Sequence, residues 1–186
     1  MVYRRILEWP DKSLRKKSNA SNLESDTHVY KDLADTFLVS GGYGLSAPQI
    51  GYQVRVIIIN ESLLTKDESL PSSTLMINPE LVSRESRKKF REACFSLPGY
   101  DFEVERFNSI NVQFLDKDGN KKEKSFEGYG AACIQHEIDH LDGKLTIDHL
   151  SQLRKSMWVK KVKKNNLRIK RRKENERTRN TRSHKA

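Results

Sequence analysis

The strongest constraint in this chain is Gln135-His136-Glu137-Ile138-Asp139-His140, which contains His-Glu-x-x-His. Residues four apart on an α-helix stand one turn above each other on one face. His136 and His140 can therefore aim at a single metal ion. Glu137 is rotated by about a hundred degrees from His136, within reach of a proton on an activated water without being obliged to ligate. That combination is the pattern of metal-assisted hydrolysis. Two histidines and a glutamate can also make an ordinary polar face, so the neighbours matter. Ala131, Ala132, Ile134, Ile138 and Leu141 are spaced for a helix rather than a strand. Gly128 and Gly130 mark the approach and Gly143 the exit. Apolar residues around the histidines predict a buried helix and a water-poor pocket.

The chain has 186 residues, enough for one compact core. We expect a catalytic domain over 1–150, followed by a basic helix and disordered tail over 151–186. The net charge of +10 is unevenly placed: residues 154–186 hold 15 Lys+Arg against 2 Asp+Glu, leaving 20 basic and 23 acidic residues in 1–153. The basic character is an appendage. No apolar run is long enough to span a bilayer, and the N-terminal stretch has no adequate apolar segment for a signal peptide. A cytoplasmic, reducing setting is therefore expected for the two cysteines, where a thiol near histidines reads as a ligand or nucleophile rather than half of a disulfide.

Residues 1–25 read as an extended lead-in with a short helical turn near Leu14. Asp26 to Leu38 reads as a helix and Ser40-Gly41-Gly42 as its break. Val54 to Asn60 is the clearest strand, β-branched and expected to be buried on both faces. Residues 61–74 read as a polar loop, and Met76-Ile77-Asn78 as a short strand stopped by Pro79. Phe90–Ser96, Phe102–Phe107, Ile110–Leu115 and a segment through Phe126 read as further strands, with Asp118-Gly119 as a hairpin turn. A helix, many short strands and a late helix, without βαβ alternation, predict an α+β fold with short, mainly antiparallel strands around the His-Glu-x-x-His helix.

A catalytic metal keeps about three protein ligands and an open position. Cys94, just before the turn at Leu97-Pro98-Gly99, is the first choice to complete the site, since a thiolate suits Zn²⁺ or Fe²⁺. Cys133 is the competitor, though it sits on a different side of the helix from the histidines and reads more simply as a small buried residue. Gly42-Tyr43-Gly44-Leu45-Ser46-Ala47-Pro48-Gln49-Ile50-Gly51 is the third informative stretch. Its glycines permit close backbone approach. Beside a metal, the Gln49 amide could stabilise negative charge developing on a carbonyl oxygen.

These three stretches, in this order, resemble the peptide deformylase family. Its motifs G-x-G-L-A-A-P-Q-[IV]-G, E-G-C-L-S and Q-H-E-x-D-H-L-x-G stand here as Gly42 to Gly51, Glu92 to Ser96 and Gln135 to Gly143. The resemblance covers about residues 1–150. It implies a small α+β fold and removal of the N-formyl group from nascent chains beginning with formylmethionine. It implies Cys94, His136 and His140 as ligands of one divalent ion, natively Fe²⁺ and replaceable by Zn²⁺, Ni²⁺ or Co²⁺. Glu137 matches the general acid/base. Gln49 and the backbone N–H of Phe95 match the donors to the formyl oxygen. Gly44 and Ala93 fall against the bound peptide, and Tyr43, Cys133 and Ile134 where the methionine pocket lies. Glu92 and Arg106 match a supporting ion pair.

Three positions depart from the motifs. Ser46 replaces an alanine and reads as harmless. Phe95 replaces a leucine but keeps its backbone donor. Ala93 replaces a glycine, which matters most if its φ is positive. The tail reads as a helix from Ser151 to about Arg168, then as a disordered basic run. Its phosphate-neutralising charge suggests ribosome or ribosomal RNA contact. A monomer with no membrane partner is expected. Two rival functions share these features: a zinc endopeptidase using the same helix, and an RNA-binding protein with a vestigial site. The Cys94 and Gln49 stretches argue against the first, and the intact Glu137 against the second.

Overall fold

A computed structural model of the chain describes residues 1–71 and 73–183. Ser72, in the expected polar loop, and residues 184–186, at the end of the expected disordered tail, lie outside the described residues. Two compact units are present, Met1–His149 and Leu150–Ala186.

The first unit carries helices α1 (Thr27–Ser40), α2 (Glu61–Thr65) and α3 (Gly128–Leu141), and strands β1 (Gly44–Ser46), β2 (Val56–Ile59), β3 (Thr74–Ala93), β4 (Asp101–Leu115) and β5 (Lys121–Glu127). The strands form one antiparallel sheet in the order β1-β2-β3-β4-β5. This is the α+β class that the pattern predicted. All four residues of β2 are buried, because the two faces of the sheet are both covered. Ile57 and Ile59 join α3 through Ile134, Ile138 and Leu141. Val56 and Ile58 join α1 through Val29, Leu33 and Phe37. An alternating strand thus serves two apolar layers, which is why its sequence is continuously apolar.

Several boundaries differ from the sequence reading. Pro79 does not stop a strand: β3 continues through it. The register shifts between Ile77 and Glu80, and Asn78 sits at φ 51. A proline lacks a ladder donor and is accommodated at such a bulge. Asn78 holds the bulge by accepting from the Ser21 N–H (2.7 Å) and donating to the Ser21 carbonyl (3.0 Å). The segments Phe102–Phe107 and Ile110–Leu115 are one strand, β4, and Phe90 belongs to the far end of β3. The expected polar loop contains α2, capped by the Asn60 side chain, which accepts from the Leu63 N–H at 2.8 Å. Gly130 lies inside α3 rather than before it.

The second unit is α4 (Gln152–Ser183). It runs past Arg168, where the sequence reading ended the helix. Lys, Arg, Glu and Gln are good helix formers, so charge density alone did not mark a stop. Among the described residues, no helix is long and apolar enough to cross a membrane.

Candidate metal centre

Three elements converge on one point. Helix α3 presents His136 and His140, one turn apart, with ring centroids 4.9 Å from each other. The turn after β3 presents Cys94, whose Sγ lies 3.2 Å from His140 Nε2. The 3₁₀ turn after β1, Ala47–Ile50, presents Gln49. Among the described residues, Cys94, His136 and His140 form the one group able to hold a metal, with ligand atoms all within 4.8 Å of one another and all three side chains buried. Cys133 is outside that group, and both cysteines are free thiols.

The ring orientations suit a ligand role. His136 Nδ1 is engaged by Glu92 Oε2 at 2.9 Å, which leaves Nε2 for the centre. Glu92 is in turn gripped by Arg106, at 2.7 Å from Nε and 3.0 Å from Nη2. Arg106 reaches on to Asp139, and His149 Nε2 meets the same Asp139 oxygen at 2.7 Å. A chain of hydrogen-bonded side chains thus runs from His149 at the surface to the His136 ring. Burial works to raise the Glu92 carboxyl, but His136 and Arg106 outweigh it and hold the group at about 2. Asp139 is held at about 2 against burial by His149 and Arg106. Buried charges need such partners.

The electrostatics of the three candidate ligands are coupled. Burial would push the Cys94 thiol up, yet the adjacent His140 and His136 rings draw it well below its ordinary value. The Cys133 thiol goes the other way, raised by burial and then by Glu137. Burial also raises Glu137, with the two imidazoles opposing. Its Oε2 is buried without a hydrogen-bond partner among the described residues. A carboxyl group raised above its ordinary value, with one oxygen that has no hydrogen-bond partner among the described residues, is suited to moving a proton.

Gln49 is fixed from both ends. Its Oε1 accepts from the Ser46 N–H at 2.9 Å and from the Ser46 hydroxyl at 2.8 Å. Its Nε2 points to Ser96 Oγ at 3.2 Å and Cys94 Sγ at 3.7 Å. The N-terminal lead-in ties the two loops together: the Leu7 N–H donates to the Gln49 carbonyl (2.7 Å) and the Trp9 N–H to the Ser96 carbonyl (2.9 Å).

The other sequence-selected residues fall as follows. Gly44 lies hard against Glu137 and Cys133. Tyr43 is exposed and Phe95 partly so, beside Gly42. Ala93 ends β3 and is not among the residues with positive φ, so the added Cβ brings no backbone strain. Ile134 has no exposed surface and packs in the core with Ile57, Ile59 and Met76. Asp139 and His149 were not selected from the sequence as site residues. Asp139 lies inside the His-Glu-x-x-His segment, which could have flagged it, but nothing local marks His149.

The family described as polypeptide deformylase matches residues 3–156. The peptide deformylase of Mesorhizobium japonicum is 41% identical over 169 residues, covering 88% of this chain and 93% of that protein. The Xylella fastidiosa enzyme is 40% identical, covering 86% and 94%. Among solved structures, a peptide deformylase from Legionella pneumophila superposes with a TM-score of 0.79 at 37% identity, covering 91% of this chain and 99% of that one. The Ehrlichia chaffeensis peptide deformylase in complex with actinonin also gives 0.79, at 32% identity and 89% and 98% coverage.

Proposed function

Because this chain belongs to the peptide deformylase family, and so is a metal-dependent hydrolase that removes the N-formyl group from nascent polypeptides, we propose that Cys94, His136 and His140 hold its ion and that Glu137 and Gln49 do the proton and charge work beside it. The observation that carries this reading is the convergence of one thiol and two imidazoles within 4.8 Å, next to a buried carboxylate oxygen with no other partner among the described residues. The donor set fits a divalent cation: a thiol drawn toward thiolate, and two rings presenting one nitrogen each. Thiolate with imidazole suits Fe²⁺ and Zn²⁺. We assign Fe²⁺ as the native ion, with Zn²⁺, Ni²⁺ or Co²⁺ as replacements.

When bound, the ion supplies Lewis acidity, lowering the pKa of a water and polarising the formyl carbonyl. Glu137 would take the proton of the water that attacks the formyl carbon. The oxyanion that develops is met by Gln49 Nε2 and the Phe95 backbone N–H, and one such donor is worth about 2.7–4 kcal/mol. Glu137 then delivers the proton to the departing amine, leaving formate and a free methionyl N-terminus. Tyr43, Gly44, Ala93 and Cys133 are assigned to the substrate side of the centre. Ile134 supports that wall from behind, as a core residue.

The test is formate release from a formyl-Met-Ala peptide, with the unformylated peptide offered as an endopeptidase substrate. Turnover should stop when a chelator strips the ion. Glu137→Gln should keep the ion and lose about 10²–10⁴-fold in kcat. If that variant deformylates at the parent rate, Glu137 does not have this role.

We assign the nascent chain's ribosome as the partner of the basic C-terminal helix, with a cytoplasmic monomer as the working form. The 15 basic residues of 154–186 support phosphate contact. Truncation after Asn165 should leave turnover of a short formyl peptide intact and lower ribosome affinity. Equal ribosome binding by both forms would dispose of this assignment.

A further inference from the structure

Ser46 stands where the family motif has an alanine, and the structure gives its hydroxyl a task. The Gln49 side chain could in principle present either its oxygen or its nitrogen to the centre, and only the nitrogen can hold an oxyanion. Ser46 decides between them. Its backbone N–H can only donate, so the atom 2.9 Å away must be the Gln49 oxygen. Its hydroxyl, 2.8 Å from the same oxygen, supplies a second donor. Both groups are fully buried: Ser46 has no exposed surface and Gln49 almost none. With Oε1 so occupied, Nε2 must face Ser96 and Cys94.

We propose that Ser46 is a positioning residue for the reaction: its hydroxyl and backbone N–H together lock the Gln49 amide with the donor end toward the substrate carbonyl. An alanine would leave only the backbone donor. The flipped amide, which places an acceptor where negative charge develops, would then be less disfavoured.

The inference rests on the reading of Gln49 as an oxyanion donor, so both residues are tested together. Ser46→Ala should lower kcat about fivefold, the worth of one net hydrogen bond of about 1 kcal/mol, with KM within twofold. Gln49→Ala should cost about 10²–10³-fold. The double variant should be no slower than Gln49→Ala alone, because Ser46 then has nothing to orient. The side-chain amide resonances of Gln49 should be one sharp pair in the parent and exchange-broadened in Ser46→Ala. Unchanged kcat in Ser46→Ala, or the same fivefold loss in the Gln49→Ala background, overturns the positioning role. Full turnover in Gln49→Ala instead removes the reading of Gln49 on which it stands.

Discussion

Gly44→Ala probes how tightly turnover depends on the placement of the Glu137 carboxylate. A Cβ at Gly44 would stand 2.9 Å from Glu137 Oε1 and 3.0 Å from both Glu137 Cγ and Cys133 Sγ, whereas ordinary contact begins at 3.4 Å. The overlap is about half an ångström. Gly44 is not among the residues with positive φ, so the backbone itself would accept alanine. It is also registered against Ile59 of β2, which is buried, so the strand cannot easily step back. The softest group in reach is the Glu137 side chain. A displacement of 1 Å at a reacting group can cost about a hundredfold, and half of that about tenfold, or roughly 1.4 kcal/mol on the barrier. Overpacking should also lower stability by about 1–3 kcal/mol. The ion should remain, since none of Cys94, His136 and His140 is among the nearest atoms to the new methyl. The assay is kcat for formate release at saturating formyl-Met-Ala, with metal content measured on the same sample. Adding Cys133→Ala removes one of the two obstructing side chains and should restore part of the loss. Turnover within twofold of the parent, with the ion bound, would refute the reasoning that carboxylate position limits the rate.

Removing Arg106 should be severe for a different reason. Arg106→Met leaves Glu92 and Asp139 without their shared cation in a buried setting, and stranding a buried charge costs about 3–5 kcal/mol, read as a fall in the urea midpoint. A loss under about 1 kcal/mol would mean that solvent already screens the pair. Asp32 gives a pH signature. The Tyr52 hydroxyl, helped by Arg4, holds it below its ordinary 3.8. A depressed carboxyl contributes stability that is complete above its ordinary value and is lost as the pH falls through the folded one. The gap in urea midpoint between the parent and Asp32→Asn, both metal-free, should therefore be open at pH 6 and close as the pH drops below 3.8. A gap that stays constant however far the pH falls below 3.8 would contradict it.

The His-Glu-x-x-His helix was legible because both its period and its chemistry lie within one turn. The buried character of β2 was legible because a run of four β-branched residues leaves no polar face. Pro79 misled because the feature that tolerates it is remote. The bulge at Asn78 is held by Ser21, 57 residues earlier, and no local propensity reports that pairing. Ile134 shows a different limit. Its position on α3 follows from helical period, but whether that side of the helix meets substrate or β2 depends on how the sheet crosses it.

The charged chain behind His136 shows where such limits come from. From the sequence, a buried Glu92 implies some cationic partner, since an unpaired carboxylate in the interior is untenable. Which cation it is follows only from strand register. Glu92 is paired with Phe102 and Lys88 with Arg106 across the β3–β4 ladder. Glu92 and Arg106 thus share one face of the ribbon, four residues apart along it, and long side chains close that gap at 2.7 Å. A slip of one residue would turn Arg106 to the opposite face. The His136 ring would then lose the support behind its Nδ1, and Asp139 would lose its cation. The long β3–β4 hairpin, which contributes only Cys94 of the three candidate ligands, is thus what sets the orientation of a histidine on α3.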